Sequence, residues 1–246
     1  MSTRVTWIGN DVVDLQDSGL DRKLESRRFL ERVFTSSERA SIANAGESEV
    51  ELWCLWACKE AAYKVASKVL PTPPAFIHSA FEVSWTKVLE KENPFIRAGS
   101  VLYEGASIPV SVDLSKGVLH AFAWVGDLTG TTEEAPPAGL CRTLARLDET
   151  TALWSATYPE LIEEFTEEER TGVHSRESAA VRIGAKASIA DVINVPSDRL
   201  QIVRPRGPSG LSHPLLLVDG EPCSIDISFS HHGCWIGWVF LEINEP

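Results

Sequence analysis

Two carboxylates and one lysine occupy positions where a charged side chain needs a partner. Asp11 lies in a predicted strand over residues 8–13, and strand alternation puts it on the face opposite to Asp14. Glu60 falls in the middle of an apolar helix, where a carboxylate should be paired, metal-bound or shifted in pKa. Lys64 follows one helical turn later. From the residues alone, Asp11 could instead stabilise a turn or cap a helix. Glu60 and Lys64 could instead form an ordinary ion pair on the exposed face of the helix.

A second group of polar residues stands near the other end of the chain. The segment Ser228 to Gly233 reads SFSHHG and separates two apolar predicted strands. A Ser-His step at the end of a strand exposes donors that suit a phosphate or a sugar. The alternative is an ordinary polar hairpin loop.

A third feature is a run of basic residues near the start of the chain. Residues 21–32 contain five bases and three acids. The bases are Arg22, Lys23, Arg27, Arg28 and Arg32. The run is either a solvated helix face or a local patch that binds an acidic partner against the overall charge.

The composition excludes several classes of protein. The 246 residues include 23 Lys+Arg and 35 Asp+Glu, a formal net charge of −12, which disfavours a general nucleic-acid binder. No apolar run approaches the length of a membrane span, and the N-terminus lacks the apolar stretch of a secretory signal. Five cysteines fit no disulfide or zinc framework, so we expect reduced thiols, a cytoplasmic location and no membrane partner.

The elements that must position these residues repeat in order along the chain. Predicted helices in the first half cover residues 21–34, 36–44 and 52–70, and predicted strands cover 81–85, 100–103, 108–112 and 118–125. In the second half, helices at 159–168 and 177–193 precede strands at 200–203, 214–218, 224–230 and 234–241. Each half is therefore a long helix followed by an antiparallel sheet.

This repetition predicts an α+β fold, a pseudo-dimer of two similar lobes with the active site in the cleft between them. Residues 1–127 form the predicted first lobe. The polar, proline- and glycine-containing segment 128–139 is the predicted linker. Residues 140–246 form the predicted second lobe.

Three motifs in register over residues 9–64 resemble those of the 4′-phosphopantetheinyl transferase superfamily. Gly9-Asn-Asp11-Val resembles the family's G-x-D-hydrophobic signature. Arg28-Phe with Phe34-Thr-Ser-Ser-Glu38 resembles its R-F…F-[ST]-x-x-E segment. Residues 56–64, WACKEAAYK, resemble its W-x-x-K-E-x-x-x-K helix.

The second half resembles the amino-terminal half of the two-lobed Sfp-type enzymes. The resemblance rests on the segments 165–170, 212–214 and 229–233 and on Arg176, Arg182 and Lys186. In those enzymes this material precedes the G-x-D motif, whereas here it follows the W-x-x-K-E helix. The resemblance therefore implies an Sfp-like enzyme with its lobes in swapped chain order, a circular permutation joined at residues 128–139.

The resemblance implies transfer of the 4′-phosphopantetheine arm of coenzyme A to a serine of an apo acyl or peptidyl carrier protein, with release of adenosine 3′,5′-bisphosphate. It assigns Asp11 and Glu60 to Mg²⁺, with Val13 where many Sfp-type enzymes have a third acid. Lys64 would neutralise phosphate charge, and Glu60 would help to deprotonate the serine.

The same resemblance assigns the coenzyme A contacts and the partner surface. The implied coenzyme A residues are Lys64, Arg176, Arg182, Lys186, His213, Pro214, Ser230 and His231. His213 stands where the family often has another basic residue, beside the adenine. The basic run of residues 22–32 fits an acidic carrier protein of fatty-acid, polyketide or peptide synthesis, and two fused lobes make a monomer sufficient.

Two other functions fit parts of the pattern. A non-catalytic module of the same fold would bind a carrier protein or coenzyme A, but it would not need to keep Asp11, Glu60 and Lys64 together. A metal-dependent phosphohydrolase would need a cluster of His and Asp ligands that the sequence does not show.

Overall fold

The structure is a computed structural model that describes residues 6–89, 95–126, 135–147, 156–207 and 210–242. It is an α+β fold, as predicted, with helices packed on antiparallel sheets. Of the predicted linker, residues 128–134 lie outside the described residues. None of the described helices is both long and apolar enough to cross a membrane.

The first lobe is a five-stranded antiparallel sheet with three helices. The helices are α1 (Arg27–Val33), α2 (Ser36–Asn44) and α3 (Ser48–Val69). The strands are β1 (Trp7–Asp14), β2 (Glu82–Leu89), β3 (Phe95–Tyr103), β4 (Ala106–Ser115) and β5 (Val118–Val125), in the order β1-β5-β4-β3-β2. Short 3₁₀ turns cover Ser18–Leu20 and His78–Ala80.

The second lobe repeats this plan with smaller sheets. Its helices are α4 (Tyr158–Ile162), α5 (Glu167–Arg170) and α6 (Arg176–Ile193), and a 3₁₀ turn covers Ser197–Arg199. Strands β6 (Cys141–Arg146), β12 (Ile225–His232) and β13 (Trp235–Glu242) form one sheet in the order β12-β13-β6. Strands β7 (Leu200–Val203), β10 (Leu215–Val218) and β11 (Glu221–Pro222) form a second sheet, and β8 (Arg206–Gly207) pairs with β9 (Gly210–Leu211).

The structure corrects two predicted elements and adds a strand. The predicted helix 21–34 begins only at Arg27, because Ser26 caps that helix and residues 21–25 form turns. The predicted helix 159–168 is two short helices, because Thr166 caps a new one at Glu167. The sequence does not predict strand β6, because its polar residues interrupt the alternation of apolar and polar side chains that is typical of a strand.

Each lobe has its own hydrophobic core. Each lobe also contains the same local arrangement, in which a threonine caps a helix and a buried glutamate pairs with a lysine. In the first lobe Thr35 caps α2, and the buried Glu38 accepts hydrogen bonds from the Thr35 N–H and the Val83 N–H and pairs with Lys59. Lys59 Nζ lies 5.7 Å from the centre of the Phe34 ring.

The second lobe contains the same unit with different residues. Thr166 caps α5, and Glu169 accepts from the Ile202 N–H and pairs with Lys186 at 3.2 Å. Lys186 Nζ lies 5.4 Å from the centre of the Phe165 ring. The matched Phe-Thr-x-x-Glu and lysine sets give the predicted repetition a structural counterpart.

The lobes meet along a seam where β12 runs beside β1 in the same direction. The outer-edge N–H groups of Ile8, Asn10, Val12 and Asp14 donate to side chains of Asp226, Ser228, Ser230 and His232, respectively. Apolar contacts flank this seam, with Ile8, Phe122 and Trp124 packed on Val239 and Leu241, and Val12 on Trp235. Side chains thus satisfy a strand edge that would otherwise be buried without partners.

A buried ion pair lies in the middle of this seam. Lys68 on α3 donates to both carboxylate oxygens of Asp226, at 2.8 and 2.9 Å, and to the carbonyls of Ile8 and Ile227. Both side chains are 2% exposed. Burial lowers the pKa of Lys68, against the effect of Asp226. Removing either partner alone would leave a buried charge without compensation.

Replacing Lys68 should therefore destabilise the fold strongly. We expect Lys68→Met to lower the free energy of unfolding by about 3–5 kcal/mol, because it isolates the Asp226 carboxylate. Adding Asp226→Asn should recover part of this loss, since the amide is neutral and its oxygen still accepts from Ile8. Urea unfolding measures both.

The matched control is Arg199→Ala, which breaks the exposed Arg199–Asp219 pair. This change should cost far less stability than Lys68→Met, because solvent screens an exposed ion pair. A Lys68→Met variant no less stable than this control would show that the buried pair does not hold the seam.

Candidate functional site

Strand β1 lies directly against α3, and Gly9 permits this contact. A Cβ atom at Gly9 would lie 2.2 Å from the Ala61 carbonyl oxygen and 3.1 Å from the Lys64 Cβ. Because Gly9 lets the strand touch the helix, Asp11 comes beside Lys64 and within electrostatic range of Glu60. The three residues that the sequence singled out therefore lie near one another where β1 meets α3.

Asp11 is nearly buried and is held at one oxygen. Its Oδ1 accepts a hydrogen bond from Ser230 Oγ at 2.8 Å and lies 3.3 Å from Lys64 Nζ. Its Oδ2 has no hydrogen-bond partner among the described residues. Burial raises the pKa of Asp11, and Glu60 raises it further, against Lys64 and Ser230. Burial is the main cause of the raised pKa, and the smaller effect of Glu60 places its carboxylate within electrostatic range of Asp11.

Glu60 stands at the edge of an aromatic cluster. Its Oε1 lies 3.6 Å from His78 Nε2. The His78 ring is flanked by Trp56 and Phe76, with centroids 4.3 and 4.1 Å away. The sequence did not single out His78, because the residue lies outside the three motifs.

Lys64 spans the seam between the lobes. Its ammonium donates to the Asn10 carbonyl at 2.5 Å, to Asp11 at 3.3 Å and to the Phe229 carbonyl of the second lobe at 3.2 Å. An ammonium has three N–H groups, so these contacts use all of them. To bind a phosphate as the resemblance implies, Lys64 must exchange one of these partners.

A row of basic residues continues from Lys64 into the second lobe. His231 is an exposed residue at the end of β12. Loss of hydration lowers the pKa of His231, and Lys64 and Arg182 lower it further, whereas Glu177 raises it. His231 therefore lies within electrostatic range of both Lys64 and Arg182.

Arg182 is a buried arginine with an unused donor. Its Nη1 donates to the carbonyl and the hydroxyl of Ser178, both at 2.7 Å, and its guanidinium lies 5.5 Å from the centre of the Phe229 ring. Burial lowers the pKa of Arg182 to about 10, and nearby Arg204 adds to this, against Glu169. The Arg182 Nε is buried and has no hydrogen-bond partner within the described part of the chain.

Arg204 adds a further positive charge that the sequence did not single out. Its Nε donates to the Ser212 carbonyl at 2.8 Å, and no carboxylate lies within ion-pair distance of it in the described ranges. A Cβ at Gly172 would touch both Arg204 and Arg182, so the two arginines flank one glycine. Arg204 lies in no family motif, and only its coupling to Arg182 in space marks it.

His213 and Pro214 lie at the far end of this row. The His213 ring contacts Trp7 of the first lobe edge to face, with centroids 5.8 Å apart. Burial lowers the pKa of His213, and Lys68 and Arg204 lower it further, against Asp226. Trp7 thus adds an aromatic face from the first lobe that the motifs did not indicate.

Two of the proposed coenzyme A residues bind oxygen atoms of their own lobe. Lys186 pairs with Glu169 in the repeated unit described above, as Lys59 does with Glu38. Arg176 Nε donates to the Ala156 carbonyl at 2.9 Å. The structure does not bring either residue into contact with Ser230 or Asp11 among the described contacts.

The basic run of residues 22–32 is divided between a turn and a helix. Arg22 pairs with Glu25, Arg27 pairs with Glu31, and Lys23 lies over the Phe29 ring at 5.5 Å. Arg28 and Arg32 are exposed on one face of α1. Neither has a carboxylate within ion-pair distance in the described part of the chain.

The residues at the seam fit a magnesium ion. Mg²⁺ prefers oxygen ligands and commonly takes one or two carboxylates, with water and substrate phosphates completing its shell. Asp11 Oδ2 is unengaged within the described structure, and Glu60 acts on Asp11 as a second negative charge. No cluster of three or more His, Cys, Asp or Glu side chains suited to a metal occurs among the described residues. The arrangement therefore resembles a two-carboxylate site completed by a substrate.

Comparison with known proteins gives one family. The model of the 4′-phosphopantetheinyl transferase superfamily matches residues 8–102, the stretch that holds Asp11, Glu60 and Lys64. No curated protein matches the chain significantly. A solved structure, holo-[acyl-carrier-protein] synthase from Neisseria meningitidis, aligns at 18% identity over 50% of this chain and 98% of its own, with a TM-score of 0.35. The family model thus covers strand β1, the helices and part of the sheet of the first lobe, and the second lobe lies outside the match.

Proposed function

We propose that this protein transfers the 4′-phosphopantetheine arm of coenzyme A to a serine of an apo acyl or peptidyl carrier protein in a Mg²⁺-dependent reaction. The observation that carries the proposal is an unbroken series of charged and polar side chains along the seam between the lobes. The carboxylates Asp11 and Glu60 stand at one end of a row that contains the cations Lys64, Arg182 and Arg204 and the imidazole of His231, in a protein of net charge −12.

A polyanion with several phosphates matches such a row better than a single anion does. The buried Arg182 and the half-buried Arg204 have no ion-paired carboxylate among the described residues, and such positive charge is costly until an anion neutralises it. Coenzyme A carries a diphosphate and a separate 3′-phosphate on a nucleoside. We infer that its phosphates lie along the cation row, with the adenine near His213, Pro214 and Trp7.

The residues of the chain then divide the chemistry between them. The serine oxygen of the carrier forms a bond to the phosphorus that bears pantetheine. The bond from this phosphorus to the bridging oxygen breaks, and adenosine 3′,5′-bisphosphate leaves with the electron pair. Glu60 accepts the hydroxyl proton, and Lys64, His231 and Arg182 stabilise the phosphate charge. Mg²⁺ held by Asp11 and Glu60 would supply further charge neutralisation.

The order of the lobes is also part of the proposal. The second lobe would be the coenzyme A lobe of an Sfp-like enzyme, placed after the metal-binding lobe by circular permutation. The repeated Phe-Thr-x-x-Glu and lysine units support a shared origin of the lobes. A non-catalytic module that binds coenzyme A or a carrier protein is the alternative function.

Loss of either carboxylate should abolish transfer. We expect Asp11→Asn and Glu60→Gln each to lower the rate at least about 100-fold, because each removes a charge that would hold the metal. The measurement is intact-mass spectrometry of apo carrier proteins incubated with protein, coenzyme A and Mg²⁺. The mass gain of one phosphopantetheine arm should disappear with EDTA.

The matched control is Asp14→Asn, which removes an acid from the same strand and should transfer at nearly the wild-type rate. Near-normal transfer by Asp11→Asn would contradict the metal assignment. No mass gain on fatty-acid, polyketide and peptidyl carriers alike, with coenzyme A binding intact, would favour the non-catalytic module.

Arg204 should contribute to coenzyme A binding. We expect Arg204→Ala to raise the Kd for coenzyme A at least about 10-fold, since a hydrogen bond to a charged phosphate is lost. Isothermal titration calorimetry measures this Kd. The nearby exposed Arg206→Ala serves as control and should bind like wild type. Equal affinities of wild type, Arg204→Ala and Arg206→Ala for coenzyme A would show that Arg204 does not bind it.

The exposed arginines of α1 should serve the carrier protein and not coenzyme A. We expect Arg28→Glu combined with Arg32→Glu to raise the KM for the carrier at least about 10-fold, with the KM for coenzyme A unchanged. Salt should reduce the difference from wild type. Arg199→Glu with Arg206→Glu changes the net charge equally and controls for it. Equal losses in both double variants would show an effect of overall charge.

A further inference from the structure

Ser228 and Ser230 make the same hydrogen bond across the seam, but only Ser230 makes a second one. Ser228 Oγ accepts from the Asn10 N–H and Ser230 Oγ accepts from the Val12 N–H, both at 3.0 Å. Both serines are buried on β12. Ser230 also donates to Asp11 Oδ1 at 2.8 Å. The two positions therefore differ by one contact, and this contact reaches a candidate metal ligand.

The hydroxyl of Ser230 has no donor left for a phosphate. A serine hydroxyl carries one hydrogen and two lone pairs. The hydrogen is used by the Asp11 carboxylate, and one lone pair by the Val12 N–H. The contact between this serine and coenzyme A that the family resemblance implies would require the Ser230–Asp11 hydrogen bond to break.

The two donors on Asp11 act on the same oxygen. Ser230 Oγ and Lys64 Nζ both contact Oδ1, and Oδ2 has no partner among the described residues. A carboxylate fixed in this way presents one defined oxygen, and hydrogen-bonded supports of this kind typically change metal affinity about 10–100-fold. Because Ser230 comes from the second lobe, one lobe orients the carboxylate of the other.

We propose that Ser230 is a positioning residue that fixes Asp11 across the seam, so that the metal site is complete only when the lobes are docked. This inference rests on the proposed function, in which Asp11 binds the metal. It predicts that Ser230 affects metal affinity and leaves the metal-free binding of coenzyme A unchanged.

The test compares Ser230→Ala with Ser228→Ala, which loses the matching backbone contact and no carboxylate contact. Mn²⁺ serves as the metal probe, and the electron paramagnetic resonance of free Mn²⁺ gives its Kd at saturating coenzyme A. Calorimetry with EDTA gives the Kd of coenzyme A without metal. We expect Ser230→Ala to raise the Mn²⁺ Kd at least about 10-fold with the metal-free coenzyme A Kd unchanged. Ser228→Ala should change neither constant.

Three outcomes would overturn the inference. Wild-type Mn²⁺ affinity in Ser230→Ala would show that Asp11 needs no support. Weaker metal-free coenzyme A binding with intact Mn²⁺ binding would place Ser230 on the nucleotide. Equal Mn²⁺ losses in both alanine variants would indicate a general loosening of the seam.

A further variant separates this failure from that of the proposed function. Asp11→Asn should lose Mn²⁺ binding more completely than Ser230→Ala. If Asp11→Asn binds Mn²⁺ like wild type, the metal assignment in the proposed function fails, and the positioning role fails with it. If only Ser230→Ala binds like wild type, the metal assignment stands and the positioning role alone is wrong.

Discussion

The outer edge of β1 is the constraint on which the rest of the structure depends. A buried strand edge must find partners for its N–H and carbonyl groups. Here four side chains of β12 accept the N–H groups, and Lys64 and Lys68 of α3 donate to the carbonyls of Asn10 and Ile8. The second lobe therefore docks through side chains and not through a continuous sheet.

This mode of docking also explains why the charged site lies at the seam. The groups that satisfy the strand edge are themselves polar or charged, and Lys64, Asp11 and Ser230 belong to both the seam and the site. Arg204 lies close enough to Arg182 to lower its pKa, and neither arginine has an ion-paired carboxylate among the described residues. Such an arrangement favours an anionic ligand between the lobes.

The sequence was informative where it carries recognisable motifs. The resemblance of the G-x-D and W-x-x-K-E motifs to a known family implied that Asp11, Glu60 and Lys64 share a site, whereas spacing alone left a capping role and an exposed ion pair open. The α+β class and most strands also followed from hydrophobic period. Helix α1 was predicted too long, because a cap at Ser26 overrode the apolar pattern before it.

Local sequence patterns do not predict contacts between residues that lie far apart along the chain. Ser230 and Asp11 are 219 residues apart, and only the docked lobes show that this serine holds a carboxylate. Arg204 belongs to no motif, and its significance depends on Arg182 being adjacent in space. Lys186 looked like a phosphate ligand in the helix, yet it pairs with Glu169 because the second lobe repeats the buried unit of the first.

The most direct test of this account is a crystal structure of the protein with coenzyme A and Mn²⁺, with the metal located by anomalous scattering. The account predicts Mn²⁺ at Asp11 Oδ2 and Glu60, the Ser230 hydrogen bond to Asp11 Oδ1 retained, and the coenzyme A phosphates along Lys64, His231, Arg182 and Arg204. A metal bound away from Asp11, or coenzyme A bound outside the seam, would contradict it.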